Sequence, residues 1–219
     1  MTAYDAIADW YEHEFLARDG DDRLGIERAL RDLLGPGPGT CLESGCGTGV
    51  RAARVRGLGW TPVGVDVSAG MLRHARPRLP VVRADATRLP FADGALDAVV
   101  AIMVHTDMPD YPAVLTEAAR VLRPGGPYVH IGVHPCFCGG FADRADPHAI
   151  VIRPGYATPG CTTESWTDQG LRDKVGTVHR PLPDLLHAFP HAGLTPTRYA
   201  EGGDPTPMTF SLRAVKAHP

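Results

Sequence analysis

The chain has 219 residues, 43% of them hydrophobic, which is enough for one domain with a substantial core. Its 22 basic and 25 acidic side chains leave a net charge of -3, so composition offers nucleic acid no electrostatic attraction. No apolar run of about 18 residues occurs, so no membrane-spanning helix is expected, and Met1 to Trp10 carries acids rather than a basic, apolar export signal.

In chain order, Ala6, Ile7, Trp10, Tyr11 and Phe15 have the spacing of an amphipathic helix over Tyr4 to Leu16, broken at Gly20-Asp21-Asp22. A second helix is expected from Arg23 to Leu34, stopped by Gly35-Pro36-Gly37-Pro38-Gly39. Short apolar runs then alternate with helical patterns. Strands are expected at Thr40 to Ser44, Pro62 to Asp66, Pro80 to Ala84, Leu96 to Val104 and Tyr128 to Val133. Helices are expected between them at Val50 to Gly57, Ala69 to Arg76 and Pro112 to Leu122. That alternation predicts a doubly wound α/β domain with a mostly parallel sheet. Periodicity weakens from Pro135 to Val175, as in a substrate lid or insert. A helix at Pro183 to Phe189 and two strands, Leu194 to Tyr199 and Met208 to Val215, close the chain, with a turn at Asp204 to Pro207. The five cysteines, Cys41, Cys46, Cys136, Cys138 and Cys161, are odd in number and irregular in spacing, and are expected as free thiols.

The sharpest local feature is Glu43-Ser44-Gly45-Cys46-Gly47-Thr48-Gly49, between a predicted strand and a predicted helix. Glycines there allow a tight turn and close approach of a ligand. Asp66 ends the second strand, where a carboxylate can accept from two ribose hydroxyls. The dinucleotide fingerprint fails, because the sixth place from Gly45 is Val50, and no phosphate-loop Gly-Lys-Ser/Thr occurs. Gly-x-Gly-x-Gly with an acid two residues upstream favours a nucleoside without phosphates, its amino-acid end along the glycines and its ammonium near Glu43.

The run Cys41 to Gly49 resembles the S-adenosylmethionine (SAM) motif of class I methyltransferases, which has Asp or Glu at the Glu43 position. Gly64 to Ser68, Ala84-Asp85-Ala86 with Leu89-Pro90-Phe91, and Leu122 to Gly126 resemble the family's next three motifs, in order. The nearest branch is the small-molecule type, similar to ubiquinone, menaquinone and natural-product methyltransferases. The resemblance implies a Rossmann-like sheet of seven strands, the last antiparallel. It implies a single domain over 1–219, with lid helices over 1–35 and an acceptor-pocket insert over 135–176. It further implies that Gly45, Cys46, Gly47 and Gly49 line the methionine and ribose parts of SAM, with Glu43 near the ammonium. Asp66 would hold the ribose, Val67 and Met71 would flank the adenine, and Asp85 and Ala86 would bond its edge. Met103 and Val104 would lie beside the sulfonium, and Tyr4 and Tyr11 would close over the cofactor.

Methyl transfer requires alignment and desolvation, and a base only where the acceptor must lose a proton. His105 and His134 follow the fourth and fifth strands at the carboxyl edge of the sheet, where ligands bind, and are the candidate bases. Asp107 is placed to orient His105. His134, Cys136, Cys138 and His148 invite a metal reading, but Cys-x-Cys is tighter than zinc spacing, and no metal is expected. Arg180 is a candidate for meeting an acidic acceptor or bracing the lid. Phe137, Phe141, Tyr156 and Trp166 are candidates for an aromatic wall. The expectation is a cytoplasmic enzyme, monomer or homodimer, that methylates a small, aromatic or natural-product-like acceptor and releases S-adenosylhomocysteine. The alternative is a SAM-binding subunit without turnover.

Overall fold

The computed structural model describes residues 2–18, 22–146, 148–165 and 170–218. Helix α1 (Ala3–Trp10) starts at a reciprocal cap: the Asp5 amide donates to Thr2 Oγ1, and the Thr2 amide donates to the Asp5 carboxylate. The helix does not run on regularly to Leu16. It widens into a π-turn at Tyr11–Phe15, where the rings of Tyr11 and Phe15 stack 4.9 Å apart, and tightens into a 3-10 turn at Leu16–Arg18. Of the expected break, Gly20 and Asp21 lie outside the described residues. Asp22 caps α2 (Ile26–Leu34) by accepting from the Glu27 and Arg28 amides. That helix therefore begins three residues later than the pattern suggested, after Gly25 at φ 68°.

The sheet follows. Its first strands are β1 (Thr40–Ser44), β2 (Thr61–Asp66) and β3 (Val81–Arg83), separated by α3 (Ala52–Gly57) and α4 (Ala69–Ala75). Then come β4 (Ala98–Ile102), α5 (Tyr111–Val121) and β5 (Pro127–Val133). The expected fourth strand is trimmed at both ends. Leu96 makes only an isolated bridge to Leu122, and Met103 turns the chain away at φ 58°. Between β5 and the closing elements, the weakly periodic stretch forms two small ribbons and a short helix. These are β6 (Ala142–Asp143) with β7 (Val151–Ile152), β8 (Gly160–Thr162) with β9 (Thr177–His179), and α6 (Leu171–Val175). The chain closes with α7 (Leu182–His191), β10 (Leu194–Gly202) and β11 (Thr209–Lys216).

The main sheet has seven strands in the order β10-β11-β5-β4-β1-β2-β3. β3, β2, β1, β4 and β5 pair in parallel, while β11 pairs antiparallel with β5 and with β10. Alternate strand residues feed opposite faces. Leu42, Val99 and Tyr128 enter a core closed by α5 and α7, whereas Cys41, Ala98, Val100 and Val129 enter one closed by α2. All of β5 is buried, as a central strand covered on both sides must be. The chain order reverses between β1 and β4, so a crevice opens at their carboxyl ends. Among the described residues no helix is long and apolar enough to cross a membrane.

Candidate functional site

A cleft of about 660 Å3 occupies that crevice. Tyr11, Glu43, Gly45, Cys46, Gly47, Asp66, Val67, Met71, Asp85, Ala86, Met103 and Val104 all line it, together with Tyr4. Gly49 does not. A side chain there would meet Leu79 Cδ2 at 2.5 Å, so this glycine lets the loop pack against the α4 layer. Gly47, by contrast, has open space where a Cβ would stand and a φ of 53°, and its amide donates to Asp66 Oδ2 at 2.9 Å. The other Asp66 oxygen accepts from the Ser68 amide at 2.8 Å. These two bonds clamp the glycine turn to the end of β2. Burial nevertheless pushes the Asp66 carboxyl above the usual range, and the amide bonds only partly oppose it.

Glu43 lies at the other end of the glycine turn, 4% exposed. Its Oε1 has no hydrogen-bond partner among the described residues. Burial lifts its carboxyl to about 7, while the Arg51 and Arg56 charges pull the other way. A buried carboxylate oxygen without a partner, facing a ligand-sized cleft, calls for a cationic or donor group from a ligand. On the far side Asp85 accepts from the Thr87 amide and hydroxyl through Oδ1 and stands exposed at the cleft rim. Three acidic side chains, Glu43, Asp66 and Asp85, therefore line the one cleft. Met103, left-handed and not glycine, holds the backbone in a sparsely populated conformation that costs about 1 kcal/mol and tends to collect at functional sites.

The two candidate bases are placed differently. His105 borders a second cavity of about 250 Å3, with Thr106, Cys138, Phe141, His179 and Arg180 among its walls. Its ring is fully buried beside His130, centroids 4.9 Å apart, and desolvation holds its pKa well below the histidine range. Asp107 does not orient it. Instead Asp107 Oδ1 accepts from the Tyr4 hydroxyl at 3.0 Å and from Arg172 Nη1 at 2.5 Å. His134 lines neither cavity. Its Nδ1 accepts from the Cys136 amide at 3.1 Å, which leaves Nε2 to donate to Glu201 at 2.9 Å, so the ring pins the insert to β10. Among the described residues His134, Cys136, Cys138 and His148 do not converge as one ligand set.

Asp107 is the cleft residue whose position sequence reasoning missed. It lines the cleft, half-buried, with its carboxyl raised by desolvation and lowered in part by Arg172. Its partners stand 103 and 65 residues away, so the only local signal was its place after β4. Arg180 braces the same segment, donating to the carbonyls of His105, Met108 and Pro109. Of the aromatic set, Phe141 and Tyr156 pack edge to face at 5.5 Å and Phe137 stacks obliquely on His134, while Trp166 lies outside the described residues. The five cysteines are unpaired thiols.

Residues 42–130 match the family model described as a methyltransferase domain. The demethylmenaquinone methyltransferase of Mycolicibacterium paratuberculosis is 44% identical over 109 residues, 49% of this chain and 47% of that protein. The chain thus spans about half the length of the curated relatives it matches. Among solved structures, a SAM-dependent methyltransferase from Mesorhizobium loti superposes with a TM-score of 0.73 at 21% identity, covering 90% of this chain and 99% of that one. Geranyl diphosphate C-methyltransferase from Streptomyces coelicolor, solved with S-adenosylhomocysteine, gives 0.65 at 18% identity over 87% of this chain and 76% of that one. Sheet order and motif order agree with these likenesses: residues 42–130 are similar to the methyltransferase domain, and the chain has the fold of the solved SAM-dependent methyltransferases.

Proposed function

We propose that this protein transfers the methyl group of SAM to a small-molecule acceptor with an aromatic, quinol-like ring, releasing S-adenosylhomocysteine. The observation that carries the reading is the unpartnered Oε1 of Glu43 at the head of the cleft. The kinship with demethylmenaquinone methyltransferases supports a quinol-type acceptor. The protein is read as a single SAM-binding domain, with residues 1–35 as its roof and 135–176 shaping the acceptor side. It works in the cytoplasm, as monomer or homodimer, without nucleic acid.

When bound, SAM supplies a methyl group already activated by sulfonium charge. Glu43 would pair with its ammonium, and the Gly45 to Gly47 backbone would hold the methionine chain. Asp66 would take the ribose hydroxyls, Val67 and Met71 would flank the adenine, and Asp85 and Ala86 would bond its edge. Met103 and Val104 would hold the reacting end, and Tyr4 and Tyr11 on the N-terminal segment would exclude water. Where the acceptor must lose a proton, Asp107 is the carboxylate within the cleft that takes it, its basicity raised by burial. His105, neutral at physiological pH, shapes the adjoining cavity and serves as a base only for an acceptor that reaches that side. His134 is assigned a bracing role.

Calorimetry with SAM and S-adenosylhomocysteine tests the reading, comparing the wild type with Asp66→Ala. Micromolar binding lost in the variant is the expected result, followed by product formation from a quinol panel. A wild type that binds neither nucleoside sinks the proposal.

A further inference from the structure

Away from the cleft, three side chains with metal-binding atoms meet where the N-terminal segment lies on α4. Asp9 sits in α1, His13 four residues on in the π-turn, and His74 in the last turn of α4. One ligand atom from each lies within 4.8 Å of the others. Asp9 Oδ1 and His74 Nε2 are 2.8 Å apart, and the His13 and His74 rings stand nearly perpendicular at 84°, with centroids 5.6 Å apart. Bonds of about 2.0–2.1 Å in a tetrahedral shell hold ligand atoms roughly 3.4 Å from one another.

We propose that Asp9, His13 and His74 bind a divalent transition-metal cation of the zinc class, which clips the N-terminal segment to α4. Two imidazoles and one carboxylate suit zinc and its neighbours, whereas magnesium and calcium call for an all-oxygen shell. Three protein ligands leave a position for water. The competing contact is Arg73 Nη2, 2.6 Å from Asp9 Oδ1, but both side chains are mostly exposed and the pair gives way readily. The same segment is already tied to the start of α4 and to the turn after it. Asp5 accepts from Ser68 Oγ at 2.7 Å and from the Gly70 amide at 3.0 Å, and Glu12 pairs with Arg78. A cation between these ties would stiffen the stretch that carries Tyr11 to the cleft.

The experiment titrates tag-free full-length protein with Zn2+ against a chromophoric chelator, and with Co2+ by visible absorption. The expected result is one equivalent bound, with affinity at least about tenfold weaker in His13→Ala and in His74→Ala. Hydrogen exchange over residues 3–15 slows when Zn2+ is added to the wild type and does not slow in His74→Ala. Circular dichroism checks that the variants fold. A wild type that binds neither ion, an affinity unchanged in both histidine variants, or a thiolate-to-cobalt charge-transfer band in place of nitrogen and oxygen ligation overturns the proposal. The titration contains no SAM, so its outcome is independent of the transferase reading.

Discussion

Replacing Glu43 with glutamine separates what that side chain does for the cofactor from what it costs the fold. Burial raises the carboxyl from the ordinary 4.5 to about 7 in the folded protein. A group raised on folding contributes stability in full below its unfolded value, and the contribution is lost as pH rises through the folded one. Between pH 4.5 and 7 the wild type therefore loses roughly 3 kcal/mol from this residue, at about 1.4 kcal/mol for each pH unit. Glutamine keeps the shape and removes the charge, so that loss disappears. For a chain of this size the gap between variant and wild type in thermal midpoint should widen by roughly 6–12 °C between pH 4.5 and pH 8. Cofactor affinity moves the opposite way. An ammonium bound to the carboxylate requires it ionised, so SAM binding to the wild type should weaken about tenfold per unit below pH 7 and level off above it. The variant should bind weakly and without that slope. Scanning calorimetry across pH, with isothermal titration at pH 5.5, 6.5 and 8, reads both effects. A variant that gains nothing in relative stability at pH 8 and binds SAM as the wild type does would refute the argument on both counts.

Gly132→Ala should cost roughly 1–3 kcal/mol in urea unfolding, because the added methyl falls 2.3 Å from His105 Nδ1 and 2.8 Å from His130 Nε2; unchanged stability would mean those rings are free to move. Arg172→Met leaves Asp107 without its cation and should cost roughly 3–5 kcal/mol at neutral pH. That cost should shrink in acid as Asp107 takes a proton, and a loss equal at pH 4 and pH 8 would exclude charge as its cause. Tyr4→Phe deletes one hydrogen bond to the same carboxylate and should cost about 1.5–3 kcal/mol, with faster proteolysis of the N-terminal segment as a second readout.

The alternation of elements and the glycine turn were legible because both are local. A strand must end before Gly45, Asp66 must end the next one, and each carries its own turn chemistry. The seven-stranded sheet and its antiparallel last strand came with the family resemblance and stand in the structure. The sequence told which end of the sheet His105 and His134 occupy, but not which way they face. The His134 amide bonds to the Met208 carbonyl at 2.8 Å, which ties the residue to the closing hairpin and brings its ring to Glu201, 67 residues on. Asp107 stands two residues from His105, and nothing local revealed that its partners would come from α1 and α6. The π-turn after Trp10, where Tyr11 and Phe15 stack, likewise had no local signal.

The segment from Met103 to Asp107 serves both cavities: Met103, Val104 and Asp107 face the cofactor cleft, His105 and Thr106 the smaller chamber. Among the described residues, every wall that the insert and β9 contribute belongs to the smaller chamber, and none reaches the cleft. Changes at Cys138, Phe141 or Cys161 thus remodel one chamber at no expense to the other, whereas a change within these five residues is felt in both. Substitution thus has room in the insert and very little in the partition.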